Sequence, residues 1–180
     1  MERLALANEI YKTAHLTGTF KLRSGKVSND YFDKYLFESN PGLLNEIAEL
    51  LSELIPKDTE ILAGLEMGGI PIATALSLKT GIPVVFVRKK AKEYGTCKLA
   101  EGTDIRAKNV CIIEDVVTTG GQILLSAQDL KNFGAIVKNV LCVIEREQQG
   151  RDNLEASGLI FLSLFKMEEL VEASLNNALR

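Results

Sequence analysis

The chain has 180 residues, 46% of them apolar and 25% charged, with a net charge of −3. That is the make-up of one globular domain with room for a sizeable core, and the acidic balance speaks against a general nucleic-acid binder. Three cysteines, Cys97, Cys111 and Cys142, follow no CxxC spacing, which predicts buried free thiols in a reducing compartment and neither a disulfide framework nor a zinc site.

Leu4, Ala7, Ile10, Tyr11 and Ala14 recur at helical spacing and predict a first helix, too charged to be a signal peptide. His15, the single histidine, is read as a structural residue in that helix; no GxSxG elbow is present for it to serve. In "FKLRSGKVSNDYFD", Ser24-Gly25 reads as a hairpin turn between Phe20 and Leu22 on one side and Tyr31 and Phe32 on the other. "PGLLNEIAELLSELI" opens on Pro41 and predicts an amphipathic helix. From there strands and helices alternate. "EILAGL", "PVVFVR", "NVCIIEDVV" and "VKNVLCVIE" are apolar enough to be strands buried on both faces. "GGIPIATALSLKTG" and "GGQILLSAQDLKNFGA" are the helices between them. The order implies an α/β fold, a parallel sheet flanked by helices. Residues 88–109 show no clear period and carry many charges, the mark of a functional loop. The longest apolar stretch, "GLIFLSLF", is too short to cross a bilayer. A cytoplasmic protein without membrane contact is expected.

The chemistry concentrates in "VCIIEDVVTTGGQ", residues 110–122. A buried strand ends on two adjacent acids, Glu114 and Asp115, and a small Thr/Gly loop runs into a helix. Ligands of open parallel sheets bind beyond the carboxyl ends of the strands. A helix N-terminus with glycines before it favours an anion. Carboxylates beside an anion cradle suit a phosphorylated sugar, the acids taking hydroxyls or facing positive charge. Neither GxxxxGK[ST] nor GxGxxG is present. The plainer alternative is a βα turn with solvated acids.

This stretch resembles the phosphoribosyl pyrophosphate signature of the type I phosphoribosyltransferases. "FKLRSGKVSNDYFD" is similar to the hood segment of the orotate phosphoribosyltransferases in that family, "VRKKAKEYG" to their mobile catalytic loop, and "EREQQGR" to the segment after the following strand. The resemblance spans roughly residues 18–151 in the family's order. It implies a type I phosphoribosyltransferase fold with a small hood of about residues 18–37 and a catalytic loop within residues 88–109. It also implies transfer of a phosphoribosyl group to orotate, giving orotidine 5′-phosphate and pyrophosphate.

The resemblance assigns roles residue by residue. Glu114 and Asp115 would hold the ribose hydroxyls and favour a cationic sugar, with Lys92 as the catalytic cation. Phosphoribosyl pyrophosphate would be bound by Val116, Val117, Thr118, Thr119, Gly120, Gly121 and Gln122 around the 5-phosphate. Arg23, Gly68, Arg88, Lys89, Lys92 and Tyr94 would serve the diphosphate. Orotate would meet Arg146, Thr118, Tyr31 and Phe32. Mg²⁺ is expected as cofactor, carried mainly by the substrate and not by a set of protein ligands. A homodimer with the loop shared in trans is expected, with no nucleic-acid partner. Some members carry lysine where Gly68 stands; here backbone N–H groups must make that contact. Arg23 replaces a usual lysine and Tyr94 a usual histidine. Two other readings remain: a phosphoribosyltransferase for another base, and a non-catalytic regulator that senses phosphoribosyl pyrophosphate.

Overall fold

The computed structural model describes residues 1–21, 25–89 and 99–178. Helix α1 (Arg3–Ala14) leads into an antiparallel hairpin of β1 (His15–Lys21) and β2 (Val27–Phe32). Two capped helices follow. Asp33 accepts the Tyr35 N–H to start α2 (Lys34–Glu38); Asn40 accepts the Gly42 and Leu43 N–H groups to start α3 (Pro41–Ser52), with Pro41 in its first turn. Then come β3 (Ile61–Leu65), α4 (Gly69–Thr80), β4 (Val84–Val87), β5 (Ala100–Gly102) and β6 (Asn109–Val117). The chain ends with α5 (Gly121–Asn132), β7 (Ile136–Glu145), α6 (Gln148–Ala156), β8 (Ile160–Lys166) and α7 (Met167–Ala178).

Strands β3 to β8 form one sheet in the order β5-β4-β3-β6-β7-β8. All neighbours are parallel except the β4–β5 pair. The winding reverses between β3 and β6: β3 steps to β4 on one side, and β6 steps to β7 and β8 on the other. The carboxyl ends of the central pair therefore open onto the crevice where such sheets bind ligands.

Alternation along the strands feeds two cores. Leu62, Cys111, Ile113 and Leu141 pack with residues of α1, α3, α4 and α7; Ala63, Ile112, Val140 and Cys142 pack with residues of α5 and α6. Both described cysteines are buried and free, as predicted; Cys97 lies outside the described residues. No helix of the described residues is long and apolar enough to cross a membrane.

The structure adds α2, α6 and α7 to the elements read from the sequence and differs from that reading at four further places. Leu4, expected on the inner face of the first helix, is exposed; Leu6, Ala7, Ile10 and Ala14 face the core. His15 is the first residue of β1, stacked on Tyr11 and paired with Asp30 at 2.9 Å. Within the unpatterned stretch 88–109, Ala100–Gly102 pair with β4, and Leu99 and Ile105 are buried. "GLIFLSLF" supplies the parallel strand β8.

Candidate active site

The site is built on the carboxyl ends of β3, β4, β6 and β7, which the parallel registers bring to one edge of the sheet. β6 ends on the two acids. Asp115 is fully buried, while Glu114 is partly exposed and its Oε1 accepts the Asp115 N–H at 3.1 Å. Asp115 Oδ1 accepts the Val116 N–H at 2.5 Å, and Lys34 Nζ approaches Asp115 Oδ2 at 2.5 Å.

Gly68, in the turn between β3 and α4, faces this carboxylate. A Cβ there would lie 1.5 Å from Asp115 Oδ2 and 3.0 Å from Glu38 Oε1. A Cβ on Gly69 would lie 2.3 Å from the Ile113 carbonyl oxygen. The glycines in "EMGGIP" are thus set by the close approach of β6, not by turn geometry alone.

The electrostatics follow from burial. Burial works against charge on Asp115, but its hydrogen bond with Glu114 and the charge of Lys34 outweigh it and hold Asp115 below its ordinary value. Burial, then the hydrogen bond and charge of Asp115, push Glu38 up to about 9. Burial and Asp115 likewise raise Glu114 well above its ordinary value. Burial opposes the Lys34 charge, but the Asp115 carboxylate prevails and raises it. Lys34 and Asp115 thus form an ion pair, beside which Glu38 and Glu114 hold their protons more tightly than free carboxyl groups do.

Beyond the acids, Val117, Thr118, Thr119 and Gly120 turn into α5. Gly120 is left-handed (φ 74°), which a glycine adopts without strain. The first turn of α5 leaves N–H groups without intrahelical partners, beside Gly121 and Gln122. Helix α6 backs this loop. A Cβ on Gly150 would lie 2.5 Å from the Thr118 carbonyl oxygen, and Asn153 Nδ2 donates to the Thr119 carbonyl at 3.0 Å.

Arg146 follows β7 in the adjacent position. Its N–H donates to the Val117 carbonyl at 2.8 Å, which ties it to the Thr118 loop. Its side chain is exposed, and no carboxylate among the described residues pairs with it. The neighbouring Glu145 is buried and engaged by Arg151 at 2.5 Å and by Ser163 at 2.9 Å. Glu145 is therefore not available to pair with Arg146, and no ion pair between Arg146 and Glu147 is present among the described residues. On the other side, the Lys89 N–H donates to Glu66 Oε1 at 2.8 Å, and Arg88 Nε reaches Glu101 at 3.4 Å. Arg88 and Lys89 thus stand beside the turn after β3.

In the hairpin, adjacent Tyr31 and Phe32 point to opposite faces. Tyr31 is exposed and stacks on Phe20 with ring centroids 5.4 Å apart; Phe32 turns inward to Tyr11 and Phe37. Arg23, Lys92 and Tyr94 lie outside the described residues. The structure thus brings together Gly68, Glu114, Asp115, the 116–122 loop and Arg146, with Arg88 and Lys89 one strand away. Sequence reasoning missed Lys34, Glu38, Gly150, Asn153 and Arg151 as parts of this neighbourhood. Only Gly150 and Arg151 could have been noticed, as the glycine and arginine closing the segment "EREQQGR".

Comparison with known proteins agrees with this arrangement. Residues 37–159 match the family model described as phosphoribosyl transferase domain. An orotate phosphoribosyltransferase of Nocardioides sp. is 51% identical over 154 residues, which is 86% of each chain. Another from Methanocella arvoryzae is 45% identical over 154 residues, 86% of this chain and 88% of that one. The crystal structure of the Mycobacterium tuberculosis orotate phosphoribosyltransferase with 5-phospho-α-D-ribosyl 1-diphosphate superposes with a TM-score of 0.80 at 27% identity. It covers 94% of this chain and 98% of that one. The chain belongs to the orotate phosphoribosyltransferases of the phosphoribosyl transferase domain family.

Proposed function

We propose that the protein transfers the phosphoribosyl group of phosphoribosyl pyrophosphate to orotate, releasing pyrophosphate and giving orotidine 5′-phosphate for pyrimidine biosynthesis. The observation that carries this reading is an ionised, buried Asp115 side by side with the α5 N-terminus at the carboxyl end of β6. One holds a cationic sugar, the other its phosphate. The sugar C1–O bond to pyrophosphate breaks as the C1–N bond to orotate forms, so positive charge grows on the ribose while negative charge leaves. Asp115 and Glu114 accept the ribose hydroxyls, and the negative Asp115 favours the cationic sugar. The N–H groups and hydroxyls of residues 116–122 hold the 5-phosphate. The guanidinium of Arg146, without an ion pair among the described residues, takes the orotate carboxylate in a two-pronged contact. Thr118 and the exposed Tyr31 complete the base site, while Phe32, turned inward to Tyr11 and Phe37, supports the hairpin from behind.

Arg23, Arg88, Lys89, Lys92 and Tyr94, with the backbone at Gly68, take the diphosphate. Lys92 favours the leaving charge. Mg²⁺, carried mainly by the substrate, would supply charge neutralisation to the leaving diphosphate. The enzyme works as a cytoplasmic homodimer, each loop serving the neighbouring site.

A base panel tests the reading. Purified protein with phosphoribosyl pyrophosphate and Mg²⁺ should consume orotate, and excess chelator should stop it. Turnover of hypoxanthine, adenine or uracil with orotate untouched would overturn it.

A further inference from the structure

Glu38 has no part in the reaction as described, yet it is buried against the site. It is 5% exposed, and its Oε1 has no hydrogen-bond donor. Asp115 Oδ2, also buried, likewise lacks a hydrogen-bond donor in good alignment, although the Lys34 ammonium lies 2.5 Å away. Both oxygens border the one small volume that a Gly68 side chain would fill, at 3.0 and 1.5 Å from its Cβ position. They are near neighbours across the Gly68 turn. Two carboxylate oxygens in such contact repel unless one carries a proton, and a carboxyl group is a donor only when protonated.

The surroundings decide which one carries it. Asp115 has a cation at Oδ2 and a backbone N–H at Oδ1. Glu38 has neither among the described residues; Asp33, Asp115 and Lys34 are the charged groups that act on it, two of them negative. The proton belongs on Glu38. Lys34 and Glu38 stand one helical turn apart on α2, so both reach the same carboxylate from the same side.

We propose that Glu38 is a positioning residue for the transfer: as a neutral acid it donates a hydrogen bond to Asp115 Oδ2 and, with Lys34, fixes the orientation in which Asp115 meets the ribose. Its elevated affinity for protons agrees. Asp115 is then held by three donors on three elements: Val116 N–H on its own strand, and Lys34 and Glu38 on α2. The hood-side helix thereby sets the carboxylate that faces the sugar. The idea rests on the proposed phosphoribosyl transfer for its catalytic consequence, but not for the hydrogen bond itself.

Two isosteres separate the roles. Glu38→Gln keeps a neutral donor of the same shape; Glu38→Met keeps the bulk and removes the donor. Glu38→Gln should retain kcat and both KM values close to wild type. Glu38→Met should lower kcat by about 10- to 100-fold, the loss of one hydrogen bond to a charged group, with the KM for orotate unchanged. Thermal unfolding of each variant identifies any loss due to misfolding. Glu38→Gln as impaired as Glu38→Met, or Glu38→Met as active as wild type, overturns the proposal. Infrared difference spectra of the empty, folded proteins, wild type minus Glu38→Gln at neutral pH, give a readout that needs no substrate. A carboxylic acid carbonyl band belonging to Glu38 is expected, and a carboxylate band in its place overturns the proposal. If the acid band is present while wild type ignores orotate, the reading of the reaction fails and the hydrogen bond stands.

Discussion

Gly68→Ala adds one methyl group at the place where the two halves of the site meet. That methyl would lie 1.5 Å from Asp115 Oδ2 and 2.4 Å from its Cγ. An uncrowded contact needs 3.4 Å, so the carboxylate must retreat by about 2 Å, or α4 must shift by a similar amount. Asp115 is fully buried, with no solvent to retreat into, and moving it strains the 2.5 Å contacts with Lys34 and Val116. Overpacking of this kind costs about 1–3 kcal/mol of stability. A chain of this length then loses roughly 2–4 °C of Tm per kcal/mol, so the variant should remain folded. A reacting group displaced by an ångström or more costs about 100-fold, and kcat/KM for orotate should fall at least that far. Initial rates of orotate consumption, read beside circular dichroism melts, measure both effects. A folded Gly68→Ala enzyme with near-normal kcat/KM would refute the reasoning, because it would mean that Asp115 need not occupy the position seen here.

Arg146→Ala should weaken use of orotate by about 2–4 kcal/mol, or about 30- to 1000-fold, and leave Tm unchanged, since the exposed guanidinium has no carboxylate partner among the described residues to lose; an unaltered kcat/KM would assign the orotate carboxylate to another group. Lys92→Ala and Asp115→Asn, each nearly inactive, should regain about a quarter of wild-type activity when unfolded and refolded together, because half the dimers are mixed and hold one intact site. No regain in verified mixed dimers places Lys92 in its own chain's site or outside catalysis. Arg151 holds Glu145 below its ordinary value, by hydrogen bonding first and charge after. The stability from that pair is fully present above the unfolded glutamate value of 4.5 and is lost as pH falls below it toward the folded value. Arg151→Leu should therefore lose stability at neutral pH and show a shallower acid decline in Tm; an acid limb as steep as wild type would show that other carboxylates produce it.

The site was legible wherever a short stretch carried its own physics. Four apolar residues, two acids and a Thr/Gly loop can be read without neighbours, and β6, its loop and α5 stand where that pattern put them. The start of α3 at Asn40-Pro41 and the stop of α4 at left-handed Gly81 were equally local. Strand β5 was invisible because nothing in "AEG" favours a strand; it forms by pairing with the edge of β4. In α6 only Gly150 and Leu154 are buried out of nine residues, too few for an apolar period to emerge. Leu4 misled because a leucine at helical spacing looks inward, whereas the face that α7 and α3 cover begins at Leu6. Lys34 and Glu38 carry no signal at all along the chain. Their meaning comes from Asp115, which only tertiary packing brings to them.

The central strand pair also sets when the site can exist. Gly64 pairs with Ile113 across about fifty residues of chain, so β3 and β6 meet only after a long loop has closed. The crevice is not a loop resting on a finished scaffold; it opens between the two strands whose pairing joins the halves of the sheet. No partly unfolded form that has separated β3 from β6 retains it. Substrate bound there weighs against every such form at once, and ligand at a hundred times its Kd would add about 2.7 kcal/mol to the stability of the sheet as a whole.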